Sequence, residues 1–433
     1  MGIRKKISIV AASVVLATTI YLIPLGLPSL STQAHASHLA ETNSVARHIV
    51  NSLTSEEKIN QMIMVPAEYA LTHPQENFGG VIYVGGIFTK YTTFAKLLEA
   101  NNSLKRHPLQ PLLAVDEEGG LVDRLKYVQD FESYCAPETK DFITKYFAHS
   151  IRPFALPSEE GIMQKYLLSD HKAEFMHDFK KYAHGIAETL DRAGFNLNLA
   201  PVADIVPDID SISMPMAADD RTFGSDSIVA QQLLTRYIAG FNAYTNKITR
   251  SRIMATVKHF PGLGSAQTDP HTNEVIITKS LDELLSKDVA IYDAIIPDAP
   301  VIMLSQAIYP SLDATNPATA SKRVREFLIS RGFKGIILSD DVTMGALNIY
   351  EEQYHTERWK YLALACDMIL TVQARGSGKQ VDILDKIRTG IKNTLSFEEI
   401  SDRVAKIVTY KLEYGLAREN KWAQRDSNPR PIA

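Results

Sequence analysis

Cysteine is scarce in this chain of 433 residues, and its scarcity excludes a fold built on disulfide bridges. Only Cys135 and Cys366 occur, whereas disulfide-dependent domains are dense in cysteine. Cys366 lies in the apolar segment A-L-A-C-D-M-I-L, which favours a buried small residue. A single bridge between the two cysteines is the alternative. The sequence therefore predicts a fold that is held together by its hydrophobic core.

An excess of charge of one sign is also missing. The 46 basic and 50 acidic residues leave a formal net charge of −4. No basic patch interleaved with aromatic residues occurs, so nucleic acid is not an expected partner. Two catalytic signatures are absent as well, namely the G-x-S-x-G elbow of serine hydrolases and a His/Cys cluster with zinc-ligand spacing. These absences leave an ordinary globular protein whose chemistry must come from other residues.

The two ends of the sequence differ from the rest. Basic residues 4–6 precede a mostly apolar, charge-free run over residues 7–28, and A-H-A follows at residues 34–36. This pattern predicts a secretory signal peptide over residues 1–36, whose removal leaves an exported (periplasmic or secreted) protein without stable membrane insertion. An uncleaved membrane anchor is the alternative. Residues 416–433 have no hydrophobic periodicity and are predicted to be a disordered tail.

Between these ends, short apolar runs alternate with amphipathic segments. Such runs are typical of strands buried on both faces, as in a parallel sheet. They cover residues 62–65, 80–84, 112–115, 197–200, 255–259, 301–304, 336–339 and 368–371, with helical patterns between most of them, for example over residues 91–101, 180–193, 228–244 and 281–294. Eight strands that alternate with helices predict an α/β fold, a single (β/α)₈ TIM-type barrel over residues 43–415. Residues 126–178 form an insertion between strands 3 and 4, which either shapes the substrate site or elaborates the packing.

Polar side chains collect where the apolar runs end. They are Asp116 after the third run, Asp204 after the fourth, Lys258 and His259 at the end of the fifth, Ser305 after the sixth, and Asp340 after the seventh. The carboxyl ends of the strands form the catalytic face of such a barrel. We therefore expect these side chains to line one site.

Two segments carry the most specific chemistry. G-I-I-L-S-D delivers Asp340 at a strand end, and the glycine-rich K-H-F-P-G-L-G-S-A-Q-T-D-P-H carries Asp269 and His271. A carboxylate together with an Asp/His pair is suited to attack on an acetal, with Asp340 as nucleophile and His271 as proton donor. Asp341 is the nearest rival to Asp340. An Asp-x-His pair alone is common in loops, and Lys258 alone can be a salt-bridged structural lysine, so the prediction rests on the combination.

Two further segments supply polar groups for a ligand. In A-V-D-E-E-G-G, Asp116 can accept hydrogen bonds from sugar hydroxyls, the double glycine allows close approach of the backbone, and Arg124 follows. D-R-T-F-G-S-D supplies Arg221. Taken alone, the first segment can also be an acidic surface turn and the second a loop anchor.

Taken together, these segments resemble family 3 glycoside hydrolases, in particular the bacterial β-N-acetylhexosaminidases that release N-acetylglucosamine. The matching pieces, in family order, are G-G-V-I-Y-V-G (79–85), A-V-D-E-E-G-G (114–120), N-L-A-P-V-A-D-I (198–205), D-R-T-F-G-S-D (220–226), K-H-F-P-G-x-G with D-x-H, and G-F-K-G-I-I-L-S-D-D-V-T-M-G-A-L (332–347). They span most of residues 45–375.

The resemblance implies a barrel that performs retaining, two-step hydrolysis. It implies that Asp340 is the nucleophile and that His271 is the acid/base, oriented by Asp269. The residues that it implies for sugar binding are Asp116, Arg124, Arg221, Lys258 and His259. The implied substrates are glycans that contain N-acetylglucosamine, and no metal or organic cofactor is needed. We expect a monomer.

A few positions depart from the family pattern. Leu121 replaces the arginine of G-G-R-V, Leu263 and Ser265 change P-G-H-G-D to P-G-L-G-S, and Pro270 changes Asp-Ser-His to Asp-Pro-His. Because the nucleophile and the dyad are retained, catalysis is expected. The sugar preference stays open between N-acetylglucosamine and another sugar such as glucose or xylose, and a non-catalytic sugar-binding relative is the third hypothesis.

Overall fold

The computed structural model describes residues 30–147, 155–207, 214–354, 357–372 and 377–417. The chain divides into two compact units, residues 1–41 and 42–433. Most of the predicted signal peptide and residues 418–433 of the predicted tail lie outside the described residues. Over the part of the chain that the structure describes, no helix is long and apolar enough to span a membrane.

Eight parallel strands close into a barrel, which confirms the predicted (β/α)₈ fold. They are β1 Ile63–Pro66, β2 Gly80–Tyr83, β3 Leu112–Val115, β4 Leu197–Asn198, β5 Met254–Phe260, β6 Val301–Leu304, β7 Ile336–Asp341 and β8 Met368–Leu370. Each strand pairs with its neighbours in sequence, and β8 returns to pair with β1, where Met64 lies opposite Leu370. All eight predicted apolar runs overlap these strands.

Helices surround the strands. The α-helices are Leu30–Asn51, Ser55–Gln61, Ala67–Thr72, Phe94–Leu104, Phe131–Tyr134, Pro137–Phe147, Glu159–Leu168, Lys172–Arg192, Pro215–Ala218, Ser227–Ala243, Leu281–Glu283, Ala290–Ile295, Lys322–Ser330, Gly345–Tyr354, Arg358–Ala365, Ser377–Thr394 and Phe397–Glu413. A π-helical turn spans Leu284–Val289, and 3₁₀ turns span Gly85–Thr89, Leu125–Tyr127 and Ala318–Ala320. Capping boxes at Thr54, Ser280 and Ser396 fix three of the helix starts.

Alternation along the strands explains why the runs are apolar throughout. In β3, Leu112 and Ala114 belong to the cluster that fills the barrel, whereas Leu113 and Val115 belong to the cluster that packs against the helices. Successive side chains of a strand point to opposite faces. Both faces of the barrel wall are therefore buried, and only the strand ends are left for polar groups.

The predicted insertion lies between β3 and β4. It begins after an antiparallel hairpin of Glu117–Gly119 and Val122–Asp123, and its helices Pro137–Phe147 and Glu159–Leu168 pack against Lys172–Arg192. Aromatic side chains fill this contact, with the ring of Phe142 centred 4.6 Å from that of Tyr182. Most of the insertion therefore elaborates the packing.

Both cysteines are buried and free. Cys366 is fully buried in the core, as its apolar segment predicts. Burial raises the pKa of the Cys366 thiol to about 12 and that of the Cys135 thiol to about 11. The alternative of a bridge between them is not formed in this structure.

Candidate active site

A cavity of about 400 Å³ opens at the carboxyl ends of the strands, a size typical of small-molecule sites. All eight side chains predicted to act on a substrate line it, namely Asp116, Arg124, Arg221, Lys258, His259, Asp269, His271 and Asp340. Apolar side chains such as Ile82, Leu199, Met303 and Leu370 form its floor and walls. The topology of the barrel thus brings together residues that lie up to 224 positions apart in sequence (from 116 to 340).

The end of β7 presents two adjacent carboxylates in different environments. Asp341 accepts hydrogen bonds from the Thr343 hydroxyl at 2.6 Å and from the backbone N–H groups of Thr343 and Val372 at 3.0 and 3.1 Å. Burial raises the pKa of Asp341 to about 6. Asp340 accepts a hydrogen bond from the Asp341 backbone N–H at 2.7 Å. Both carboxylates line the cavity, but the hydrogen bonds of Asp341 commit it to holding the strand end, whereas Asp340 keeps lone pairs available to a ligand.

A network of buried charges forms the opposite wall. Glu118 receives two hydrogen bonds from the Arg221 guanidinium, at 2.7 and 3.0 Å, and its carboxylate also lies 2.6 Å from Lys258 Nζ. Lys258 in turn donates to Asp116 at 2.6 Å. Burial alone would raise the pKa of Glu118, but the charges of Arg221 and Lys258 outweigh it and hold that pKa well below its usual range. Two cations and two carboxylates thus balance one another in this wall.

Buried contacts fix the hairpin that carries Glu118. Glu117 is fully buried and accepts the backbone N–H groups of Arg124 and Leu125, both at 3.0 Å. Burial raises the pKa of Glu117 and that of its neighbour Asp123. At Gly120, φ is +56° and an added Cβ would lie 2.6 Å from the Ser158 side chain, so only glycine fits this turn. The hairpin therefore places Glu118 and Arg124 with little freedom.

His259 is tied to a buried carboxylate. Its Nδ1 lies 2.6 Å from Asp204, which also accepts the backbone N–H of Leu263 at 2.6 Å. A carboxylate can only accept, so Nδ1 carries the proton and Nε2 is left for a ligand. Asp204 itself is fully buried and does not line the cavity. The end of β5 is thereby locked to the loop that follows β4.

The Asp269/His271 pair lies on the solvent side of the cavity. His271 Nδ1 is 2.7 Å from Asp269 Oδ1, which also accepts the His271 backbone N–H at 2.8 Å. Burial alone would raise the pKa of Asp269, but these hydrogen bonds lower it overall. The side chains of His271 and Asp269 are 65% and 49% exposed. The carbonyl groups of His271 and Pro270 accept the backbone N–H groups of Gly345 and Ala346, so the loop is docked on the helix that follows β7.

Sequence reasoning missed the part played by Glu118. Of the two neighbouring glutamates, Glu118 lines the cavity and Glu117 does not. Strand alternation could have found it, because residues two apart share a face and Asp116 was already assigned to the site. The same alternation directs Glu117 away from the cavity.

The positions that depart from the family pattern have different surroundings. Leu263 is buried, lines the cavity and holds Asp204 through its backbone. Leu121 is 59% exposed and does not line the cavity. Pro270 lines the cavity between the two dyad residues. Of these, Leu263 is placed to alter what the site accepts.

A metal site is not part of this cavity over the residues that the structure describes. Among the described residues, one group has potential metal-ligand atoms within 4.8 Å of one another. It consists of Glu138, His184 and Glu188. None of these three residues lines the cavity.

Comparison with known proteins decides the family. Residues 161–410, more than half of the chain, match the sequence model of the glycosyl hydrolase family 3 N-terminal domain. The chain belongs to glycoside hydrolase family 3. The resemblance predicted from its motifs is confirmed.

Individual members of family 3 extend this finding. A β-hexosaminidase of Xylella fastidiosa strain M12 is 28% identical over 260 residues, which cover 59% of this chain and 66% of that protein. The chain thus spans just under two thirds of that relative. A family 3 β-N-acetylglucosaminidase from Paenibacillus sp. FPU-7 superposes with a TM-score of 0.63 at 21% identity, over 88% of this chain and 65% of that one. A β-N-acetylhexosaminidase from Beutenbergia cavernae gives 0.62 at 22% identity, over 83% and 99%. At these identities the solved structures support the fold.

Proposed function

We propose that this chain is a retaining β-N-acetylhexosaminidase that removes terminal β-linked N-acetylglucosamine from cell-wall or chitin-type fragments. The observation that carries the proposal is the presence, in one cavity, of the Asp340 carboxylate, the Asp269/His271 pair and a wall of buried polar groups. The β-hexosaminidase relatives support the choice of sugar.

In the first step, a carboxylate oxygen of Asp340 attacks the anomeric carbon and the glycosidic bond breaks. His271, as imidazolium, donates its Nε2 proton to the departing oxygen, because Nδ1 is engaged by Asp269. The product is a covalent glycosyl-enzyme and a free alcohol. Asp269 balances the charge of the imidazolium before the transfer.

In the second step, the now neutral His271 takes a proton from water, which attacks the anomeric carbon and releases Asp340. Two displacements restore the original configuration of the sugar. The exposure of His271 supports this role, since the group must meet water in every cycle. Histidine ordinarily titrates near pH 6.5, so it can serve as acid and as base at neutral pH.

The wall opposite Asp340 supplies the sugar contacts. Asp116 and the cations Arg221 and Lys258 offer acceptors and donors of fixed direction for hydroxyl groups, and His259 offers Nε2. These groups are held by one another, so they do not need to be reordered when substrate binds. Arg124 adds a further donor at the hairpin.

A second sugar preference, for glucose or xylose, is favoured by one observation. Leu263 stands in the cavity lining where the family pattern has a histidine, and an apolar side chain cannot hydrogen-bond a sugar substituent. A panel of p-nitrophenyl β-glycosides tests this directly. We expect the N-acetylglucosaminide to give the highest kcat/KM. A preference for glucoside or xyloside would replace the proposed sugar, and failure to cleave any glycoside would favour a binding protein.

We also propose export, on the basis of basic residues 4–6 and the A-H-A site at 34–36. The mature protein is expected to begin at Ser37 outside the cytoplasm. Amino-terminal sequencing of the protein from culture fractions tests this. Intact Met1 on membrane-bound material would favour an anchor.

A further inference from the structure

One buried carboxyl group beside the cavity has no part in the mechanism above. Glu159 is 3% exposed, and its Oε2 has no hydrogen-bond partner among the described residues. It is the first residue of the helix Glu159–Leu168, which Ser158 caps by accepting the Gly161 N–H at 3.2 Å. A buried carboxyl oxygen without a hydrogen-bond partner is costly, so its surroundings must account for it.

The chain on either side of Glu159 contacts the two loops that carry the Glu118–Arg221 pair. On one side, the Leu156 carbonyl accepts the Gly120 N–H at 2.8 Å, in the hairpin that carries Glu118. On the other side, the Glu160 N–H donates to the Asp220 carbonyl at 3.4 Å, directly before Arg221. Glu159 therefore lies behind the pair of side chains that these loops bring together.

The charges that act on Glu159 come from that pair and from Lys258. The anion of Glu118 opposes its ionisation, while Arg221 and Lys258 favour it. The helix Ser227–Ala243 contributes the buried phenol of Tyr237, whose own pKa is raised by burial and by Glu159. Burial first, and the Glu118 charge second, raise the pKa of Glu159 to about 8. At neutral pH the carboxyl is therefore protonated, and the wall keeps its balance of two anions and two cations.

We propose that Glu159 is a positioning residue: while neutral it leaves the Glu118–Arg221 pair in its sugar-binding arrangement, and its ionisation disrupts the pair and weakens substrate binding at alkaline pH. The proposal rests on the proposed function, since Arg221 is a sugar ligand only there. When Glu159 ionises, a third anion enters a wall that contains two cations. It repels Glu118 and competes with it for Arg221, so the guanidinium is no longer fixed toward the sugar.

The raised pKa of Glu159 also predicts how stability depends on pH, which can be measured without substrate. The folded protein retains the Glu159 proton up to a pKa of about 8, whereas an unfolded glutamate loses it near pH 4.5. Between these values, unfolding releases a proton, so rising pH lowers the stability that this site contributes. Above the folded pKa the loss levels off. A neutral glutamine at position 159 removes this pH dependence.

The experiment compares wild type, Glu159→Gln and the matched control Glu160→Gln. The control changes the neighbouring, part-exposed glutamate, whose carboxylate contacts Gln164 on the surface. KM and kcat are measured from pH 6 to pH 9.5 on whichever aryl glycoside is cleaved. If only the protonated form binds, KM of the wild type rises about twofold at pH 8 and about tenfold at pH 9. We expect Glu160→Gln to follow the wild type, and Glu159→Gln to keep a flat KM with kcat unchanged.

Urea unfolding of the three proteins at pH 5, 7 and 9 provides the second readout. The midpoint of Glu159→Gln should exceed that of the wild type by an amount that grows with pH, while Glu160→Gln shows no such trend. A KM that rises equally in wild type and Glu159→Gln would overturn the proposal, as would a midpoint difference that is the same at every pH. Lack of cleavage of every glycoside would remove the proposed function, and the urea series would still report whether Glu159 is neutral.

Discussion

The two sides of the cavity differ in how far their side chains are exposed to solvent. On the sugar side, the side chains of Glu118, Lys258 and Arg221 are 0%, 4% and 16% exposed. On the dyad side, His271 is 65% exposed. Buried charges interact strongly because little water screens them, and they hold fixed directions for hydrogen bonds. A group that exchanges protons with water in each cycle has to remain accessible. The proposed binding groups and the proposed proton-transfer groups therefore occupy different environments within one cavity.

This contrast also separates what each side contributes to folding. A buried charge network is costly to break, because removal of one member leaves another without a partner. An exposed pair such as Asp269 and His271 contributes little to stability, with typical values of about 0–1 kcal/mol. Substitutions on the sugar side should thus affect stability and binding together, and those on the dyad side should affect turnover with little change in stability.

The largest effect is expected at Asp340, which lines the same cavity as both sides. Asp340→Asn removes the nucleophile but keeps the size of the side chain, and should lower kcat/KM by at least about 10³-fold. A fluorinated glycoside inactivator followed by peptide mapping should label Asp340 in the wild type. Label on Asp341 or on any glutamate would contradict the assignment.

The next effect tests the exposed side. His271→Ala should impair substrates with poor leaving groups by about 10²–10⁴-fold more than activated aryl glycosides, because a nitrophenolate departs without full protonation. Azide should restore part of the activity on activated substrates by replacing water in the second step. Equal losses of activity on both substrate types, without rescue by azide, would indicate that His271 only anchors its loop. Urea midpoints of wild type and variant should agree.

The buried side is tested by a matched pair of lysines. Lys258 lies within hydrogen-bond distance of Asp116 and Glu118 in the interior, and Lys145 pairs with two carboxylates, Glu174 and Asp178, at the surface. Lys258→Met should lower the free energy of unfolding by about 3–5 kcal/mol and raise KM. Lys145→Met should change the free energy of unfolding by less than about 1 kcal/mol. Similar losses in urea unfolding would refute the distinction between the two environments.

The smallest effect is expected at Asp269. Asp269→Asn weakens the support of the imidazolium and should lower kcat by about 10–100-fold, the value of one hydrogen bond to a charged group. The lowered pKa of Asp269 means that its stabilisation is present above the unfolded pKa near 3.8 and is lost as pH falls through the folded value. Thermal unfolding of wild type and variant should therefore converge at acidic pH. A gap that widens on acidification would contradict this sign.

The barrel could be predicted because its strands are buried on both faces. Each strand appears as an uninterrupted apolar run, and the polar residues that end the runs, from Asp116 to Asp340, fall at one rim in any parallel barrel. The order of apolar and polar residues along the chain was sufficient to predict the barrel.

What could not be predicted depends on contacts between distant segments. Glu159 carries no sequence signal, because its environment is created by Glu118 and Arg221, 41 and 62 residues away (159 − 118 and 221 − 159). The role of Asp341 likewise depends on Val372, a neighbour across the barrel wall.

Gly345 has a consequence for exchanging parts between relatives. A Cβ added there would lie 2.6 Å from the His271 carbonyl oxygen, so the loop with Asp269 and His271 and the start of the helix after β7 fit only as a pair. A loop transplanted from another barrel would need a compatible residue at position 345 in the recipient. The smallest graft that carries the proton-transfer function is therefore discontinuous in sequence, and it is inherited, or engineered, as two segments at once.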